Sequence, residues 1–184
     1  MSRARPIRKI ARERRSIPNS SSSFEVIELM PGTPNFKIVK DHTKLMIDEW
    51  MRHLGSMKMF NMHVYSSCIN YAHLLRLLRY NVGSSIHPHT DWMDFVHASC
   101  TINLNDSYEG GEFAFFNGQL KFKLGVGDAL IFPADTFWVH EVKEITEGVR
   151  YSTNTFLMSI PYQRALEIRN YRNAFTNENS PFKF

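Results

Sequence analysis

From Phe24 onward the apolar residues recur in two rhythms, and the change between them divides the chain. "FEVIELMPGTPNFKIV" reads as two short strand-like runs split by the Pro31-Gly32 turn. "DHTKLMIDEWMRHLGS" then places Leu45, Met46, Trp50 and Leu54, with Ile47 and Met51 beside them, at helical spacing. That predicts a helix from near Asp41 to Gly55, with its Met and Trp stripe packed on a core. "LLRLLRYNV" fits a helix end or a strand, because periodicity does not separate the two over so short a run. Beyond it the runs are strand-like: "HASCTINLND", "GEFAFF", "LKFKLG", "DALIFP", "FWVHEV" and "RYSTNTFLMSI", parted by turn formers such as "YEGG", "NGQ", "VGD" and "TEG". Short strands at this rhythm predict a sandwich, jelly roll or barrel. "YQRALEIRNYRNAF", entered through Pro161, predicts a closing helix.

Length and composition add one domain to this picture. A chain of 184 residues with 43% hydrophobic and 13% aromatic content can bury a core of its own. Residues 1–23 are Arg-rich and then Ser-rich without apolar periodicity, and read as a disordered arm ahead of a folded domain over residues 24–184. The arm also carries the charge. Residues 1–15 hold seven basic side chains against Glu13 alone, so the chain's net +4 leaves the remainder at −2. A basic pI therefore says little about what the domain binds, although the arm could reach an acidic partner such as nucleic acid. Cys68 and Cys100 form no ligand pair or disulfide framework and fit reduced thiols. No run approaches the roughly 20 apolar residues of a membrane span. The expectation is a cytoplasmic protein with no membrane partner.

Candidate chemistry begins at "SIHPHTDW". Residues two apart on a strand share a side, so His89 and Asp91 can offer a nitrogen and an oxygen to one ion. About fifty residues on, His140 lies on another predicted strand. Two imidazoles and one carboxylate leave coordination positions open, the pattern used by non-haem Fe(II) oxygenases. A bidentate keto acid would fill two positions, and its far carboxylate would need a cation, for which the planar fork of Arg150 is suited. His87 reads as a rim residue and His97 as a packed or surface histidine. Ser152 and Asn154 share the strand parity of Arg150 and read as secondary contacts. Trp92, Phe95 and Trp138 suit either the mouth of the site or the core.

"RYNVGSSIHPHTD", "YEGGEFAFF", "GVGDALIFP" and "HEVKEITEGVRYSTNTF" together resemble the ordered signatures of the 2-oxoglutarate/Fe(II)-dependent dioxygenases, in particular the prolyl 4-hydroxylase-like branch. The resemblance covers most of residues 74–160. It implies a mainly β fold with flanking helices around a double-stranded β-helix, a jelly-roll, cupin-like core. It implies His89, Asp91 and His140 as iron ligands, Arg150 as the partner of the distal carboxylate, and Tyr80 as a donor to the co-substrate. Asn103 stands where the family often has Tyr, and is a further cofactor candidate. Phe156 stands where the collagen-type enzymes have Trp, and Arg150 where they have Lys. Fe(II), 2-oxoglutarate and O2 follow as cofactors, with ascorbate as an accessory. The implied reaction is hydroxylation of a C–H bond with release of succinate and CO2. A peptidyl proline is the first substrate candidate, another protein side chain the second, and a small amino acid or a nucleic-acid base the third. Two other readings stand beside it: a metal- and 2-oxoglutarate-binding sensor without turnover, and a cupin-like enzyme using zinc or manganese.

Overall fold

Thr33 and Pro34 overturn the expected second strand. In the computed structural model, which describes residues 24–93 and 95–159, helix α1 runs Pro34–Ser56. Thr33 has extended backbone angles, its Oγ1 accepts from the Phe36 amide at 3.3 Å, and Pro34 fills the first turn, where no amide hydrogen is needed. Such a cap is worth about 1 kcal/mol. Phe36, Thr43 and Ile47 then bury one stripe of the helix, so "PNFKIV" extends the helix by two turns instead of forming a strand. The arm at 1–23 and the closing helix expected after Pro161 lie outside the described residues.

The remaining elements are β1 (Glu25–Glu28), α2 (Met62–Cys68), β2 (Tyr71–Tyr80), β3 (Ile86–His89), β4 (Val96–Asn103), β5 (Tyr108–Gly110), β6 (Phe113–Phe115), β7 (Leu120–Phe122), β8 (Ala129–Pro133), β9 (His140–Val142), β10 (Ile145–Gly148) and β11 (Arg150–Met158). The ambiguous "LLRLLRY" is therefore strand. A five-stranded sheet runs β1-β2-β11-β4-β8, a four-stranded sheet β3-β9-β6-β7, and β10 pairs with β5. This is the expected mainly β, double-stranded β-helix architecture, with α1 on its outside.

Strand parity assigns the two faces of the five-stranded sheet. Ala98, Cys100 and Ile102 of β4 pack with Ile47 of α1, Ala72 and Leu157, with Ala129 and Ile131 of β8 beside them. Full burial of one such aliphatic side chain contributes roughly 1.5–3 kcal/mol, which fixes the register against a one-residue slip. The alternate residues must then face inward: Ser99, Thr101 and Asn103 on β4, with their register partners Phe156, Asn154 and Ser152 on β11. On β2 the inward set is Arg76, Leu78 and Tyr80, opposite Asn154, Ser152 and Arg150. Phe132 of β8 closes the two sheets by packing on Phe113 and Phe115 of β6, at centroid separations of 5.4 and 5.1 Å. The sheet interior is therefore a polar lane walled by aromatic rings. Among the described residues no helix is long and apolar enough to cross a membrane.

Candidate metal centre and anion pocket

The four-stranded sheet brings the three expected ligands together. His89 ends β3 and is in register with His140, which begins β9. Asp91 follows His89 in the chain, and one ligand atom from each of the three lies within 4.8 Å of the others. His89 Nε2 stands 3.4 Å from Asp91 Oδ1, and His140 Nε2 stands 3.5 Å from Asp91 Oδ2. Two donors each about 2.1 Å from one ion at a right angle stand about 3 Å apart, so the cluster has the dimensions of a metal site.

Local backbone orients both rings. His89 Nδ1 meets the carbonyl of His87 at 2.7 Å, and His140 Nδ1 meets that of Trp138 at 3.0 Å. A carbonyl can only accept, so each Nδ1 carries the proton and donates, and each Nε2 presents its lone pair toward Asp91. Phe113 stacks on the His140 ring at 5.3 Å, and Phe132 approaches it edge-on at 4.6 Å. His140 is buried, while the His89 side chain keeps 36% of its exposure, so the cluster opens on the His89 side. Burial holds the His140 imidazolium below its ordinary pKa, partly offset by the Trp138 carbonyl. For Asp91, burial acts to raise the pKa, but the facing His89 ring and the Ser99 hydroxyl outweigh it and hold the carboxyl below its ordinary value. The neutral His140 imidazole and the ionised carboxylate that a metal requires are thus the favoured forms.

Arg150 begins β11 and is only 1% exposed. Its Nε donates to Asn103 Oδ1 at 3.1 Å, and its Cζ lies 5.1 Å from the Tyr80 ring centroid. Its Nη1 is buried without a hydrogen-bond partner. An unmatched donor on a buried charge costs several kcal/mol unless something anionic fills the place, which makes this nitrogen a mark of an anion pocket. Tyr80, stacked on Phe24, is buried beside it. Burial pushes its phenol pKa up, against the pull of the Arg150 charge and of bonds to Ser152 and Arg150.

Asn103 has a different place from the one expected of a cofactor contact. Its Nδ2 donates to the carbonyls of Asn105 at 2.6 Å and Leu124 at 2.9 Å, while its Oδ1 accepts from Arg150 and, at 3.2 Å, from the Tyr108 hydroxyl. The amide is spent on protein groups, so it positions Arg150 from behind. Ser152 faces Tyr80 as its parity suggested, whereas Asn154 Oδ1 accepts from Arg76 Nη2. His87 contributes its carbonyl, and exposed His97 bonds Ser159 at 2.8 Å. Trp92, next to Asp91 in the chain, and Phe95 are exposed, and Trp138 packs on Phe115 and Phe116.

Three residues escaped the sequence reading. Ser99 donates to Asp91 Oδ2 at 2.6 Å and turns the carboxylate toward the histidines. Tyr108 joins Asn103, and Lys123 sits 4.1 Å over the Tyr108 ring while donating to the Gly110 carbonyl. Glycine is required next to this group. A Cβ on Gly110 would stand 2.0 Å from the Glu144 carbonyl oxygen, and one on Gly111 would stand 2.5 Å from Ile145 Cδ1 and 3.3 Å from Arg150 Cδ. Only the parity of Ser99 with Asn103 along "SCTIN" hinted at the Ser99 contact.

Residues 75–158 match the model of the 2OG-Fe(II) oxygenase superfamily. A PKHD-type hydroxylase of Sphingopyxis alaskensis is 33% identical over 96 residues, covering 46% of this chain and 43% of that protein. The match thus spans less than half of that relative's length. Among solved structures, a prolyl hydroxylase of Trichoplax adhaerens, in complex with a hypoxia inducible factor oxygen degradation domain peptide, has TM-score 0.61 at 16% identity, over 87% of this chain and 72% of that one. A viral collagen prolyl hydroxylase of Paramecium Bursaria Chlorella virus-1 has TM-score 0.56 at 18% identity, over 75% and 80% respectively. At such identities these two likenesses concern the fold.

Proposed function

We propose, because residues 75–158 match the model of the 2OG-Fe(II) oxygenase superfamily, that the protein is an Fe(II)- and 2-oxoglutarate-dependent dioxygenase that hydroxylates a C–H bond, with a peptidyl proline as the first candidate substrate. The observation that carries the reading is Arg150. A buried guanidinium with an unmatched Nη1, in the barrel whose other sheet gathers His89, Asp91 and His140, is what a keto diacid needs at its far end.

Fe(II), when bound with 2-oxoglutarate and O2, supplies the oxidising chemistry, releasing succinate and CO2 as the C–H bond is hydroxylated. The protein's own groups do the positioning. His89, Asp91 and His140 would hold the ion, each imidazole fixed by its carbonyl and the carboxylate by Ser99. Arg150 holds the distal carboxylate through charge-assisted hydrogen bonds, and Asn103 keeps the guanidinium from swinging away. Tyr80 supports the same group with its ring face, and its raised pKa keeps the phenol protonated as a donor. The phenylalanines around His140 keep water from the closed side of the cluster, while the open side is that of His89, with exposed Trp92 following Asp91 in the chain. That apolar rim fits a protein or peptide better than a small polar substrate.

The deciding measurement is succinate released from 2-oxoglutarate under air with added Fe(II), over a long time course, with and without proline-containing peptides. Wild-type release, lost in His89→Ala and in Arg150→Ala, supports the dioxygenase. Binding of iron and 2-oxoglutarate with no succinate under any peptide would replace it with a sensor, and binding of neither removes the metal-site reading.

A further inference from the structure

The polar lane holds a second guanidinium. Arg76 of β2 is in register with Asn154 and belongs to the inward set with Leu78 and Tyr80. Its Nη2 donates to Asn154 Oδ1, and its Cζ lies 4.9 Å over the Phe156 ring. An amide on one edge and an aromatic ring against one face fix the plane of the group, which is how proteins orient an arginine for recognition.

Register gives its level in the barrel. Ser99, the residue that bonds Asp91, pairs with Phe156; Thr101, the next inward residue of β4, pairs with Asn154, whose other partner is Arg76; then Asn103 pairs with Ser152. Arg150, paired with Tyr80, closes the series. Arg76 therefore stands one row from the ligand cluster, and Arg150 lies four residues beyond it along the paired strands, about 13 Å at roughly 3.3 Å per residue. The charges of both guanidiniums act on the buried Tyr80 hydroxyl between them. Glu28, in register with Arg76 across β1, is exposed at the sheet edge, where solvent screens its charge.

We propose that Arg76 binds the keto-acid carboxylate of 2-oxoglutarate, so that Arg76 and Arg150 clamp the diacid at its two ends. The clamp rests on the dioxygenase reading above. A five-carbon diacid measures about 5 Å between its terminal carbons. With a guanidinium carbon about 4 Å beyond each carboxylate, the assembly spans about 13 Å, comparable with the separation of the two rows. Arg76 is thus a binding residue placed on the metal side of the pocket. It sets how the keto end lies against the cluster, while Arg150 sets depth.

The test is equilibrium binding by calorimetry on the full chain, loaded with Mn(II) and kept from air, for wild type, Arg76→Met, Arg76→Lys and Arg150→Met. Two probes are compared: 2-oxoglutarate, and 2-oxopentanoate, which keeps the keto-acid end and lacks the distal carboxylate. Arg76→Met is expected to weaken both probes by a similar factor of about 10 to 100, the worth of one charge-assisted hydrogen bond. Arg150→Met is expected to weaken 2-oxoglutarate alone, and Arg76→Lys to recover part of the loss. Wild-type affinity for both probes in Arg76→Met overturns the clamp and turns Arg76 toward the substrate. If Arg76→Met fails to fold, as its melting curve would show, Arg76→Lys and Arg76→Gln decide by the same comparison. Failure of the wild type to bind either probe removes the dioxygenase reading and the clamp with it, whereas an effect confined to Arg150→Met removes the clamp only.

Discussion

At the ligand cluster each histidine is oriented by a carbonyl two residues behind it in the chain, whereas at the cationic end Arg150 is oriented by Asn103, 47 residues away, and Asn103 in turn by Tyr108 and the loop carbonyls of Asn105 and Leu124. The first arrangement forms as soon as β3 and β9 pair. The second needs β4 paired with β11 and β5 paired with β10. The metal end is therefore a local device and the anion end a tertiary one. Substitutions at the two ends should fail in different ways.

The largest difference is expected from His140→Ala. Losing a ligand of three should abolish turnover by about a thousandfold or more, and metal titration should show the ion gone, with a lower melting temperature because the lost ring packs against Phe113 and Phe132. Arg150→Met should do the reverse. Metal binding should persist while 2-oxoglutarate affinity falls about a hundredfold, because a carboxylate would then be desolvated without a counter-charge. Equal loss of metal and co-substrate in both variants would erase the distinction between the ends.

Acid should separate them without mutation. The metal competes with protons for His89 and His140, so affinity for the ion should fall about tenfold per unit below the governing imidazole pKa. Burial depresses the pKa of His140, so this ring is expected to accept its proton only in more acid solution than the ordinary imidazole value of 6.5. Among the described residues the anion pocket contains no imidazole, so it should be insensitive over that range. Metal titrations between pH 5 and pH 8 check the sign. The smallest effect is expected from Asn103→Leu, which leaves Arg150 Nε and the Tyr108 hydroxyl without their acceptor. That should cost about 1–3 kcal/mol of stability and a severalfold loss in 2-oxoglutarate affinity, with metal affinity unchanged. Denaturant midpoints read against binding curves would show whether stability and affinity fall together.

The same contrast explains what could be read from the chain. His89, Asp91 and His140 are legible in "HPHTD" and "WVHEV" because alternation along a strand already says which residues share a side. Arg150 is legible through its order after the second histidine. Ser99, Tyr108 and the true role of Asn103 are not, since each depends on which strand lies opposite, and strand pairing leaves no local mark. Arg76 was hidden for another reason. "LLRLLRY" suits helix and strand equally, and only the pairing of β2 with β1 and β11 decides which way its arginine points. The start of α1 is legible in "TPNF", since a Thr cap followed by Pro is a helix signal that outweighs the strand-like run before it.

Gly111 adds a consequence for how the cation is seated. With a Cβ there only 3.3 Å from Arg150 Cδ, the depth of the guanidinium is gauged by the absence of a single carbon. Any side chain at this position would press first on Ile145 at 2.5 Å and on the Tyr108 ring at 3.1 Å, the groups that wall the cation in. The turn that carries Gly111 therefore works as a ruler, and its zero mark is an atom that the residue lacks.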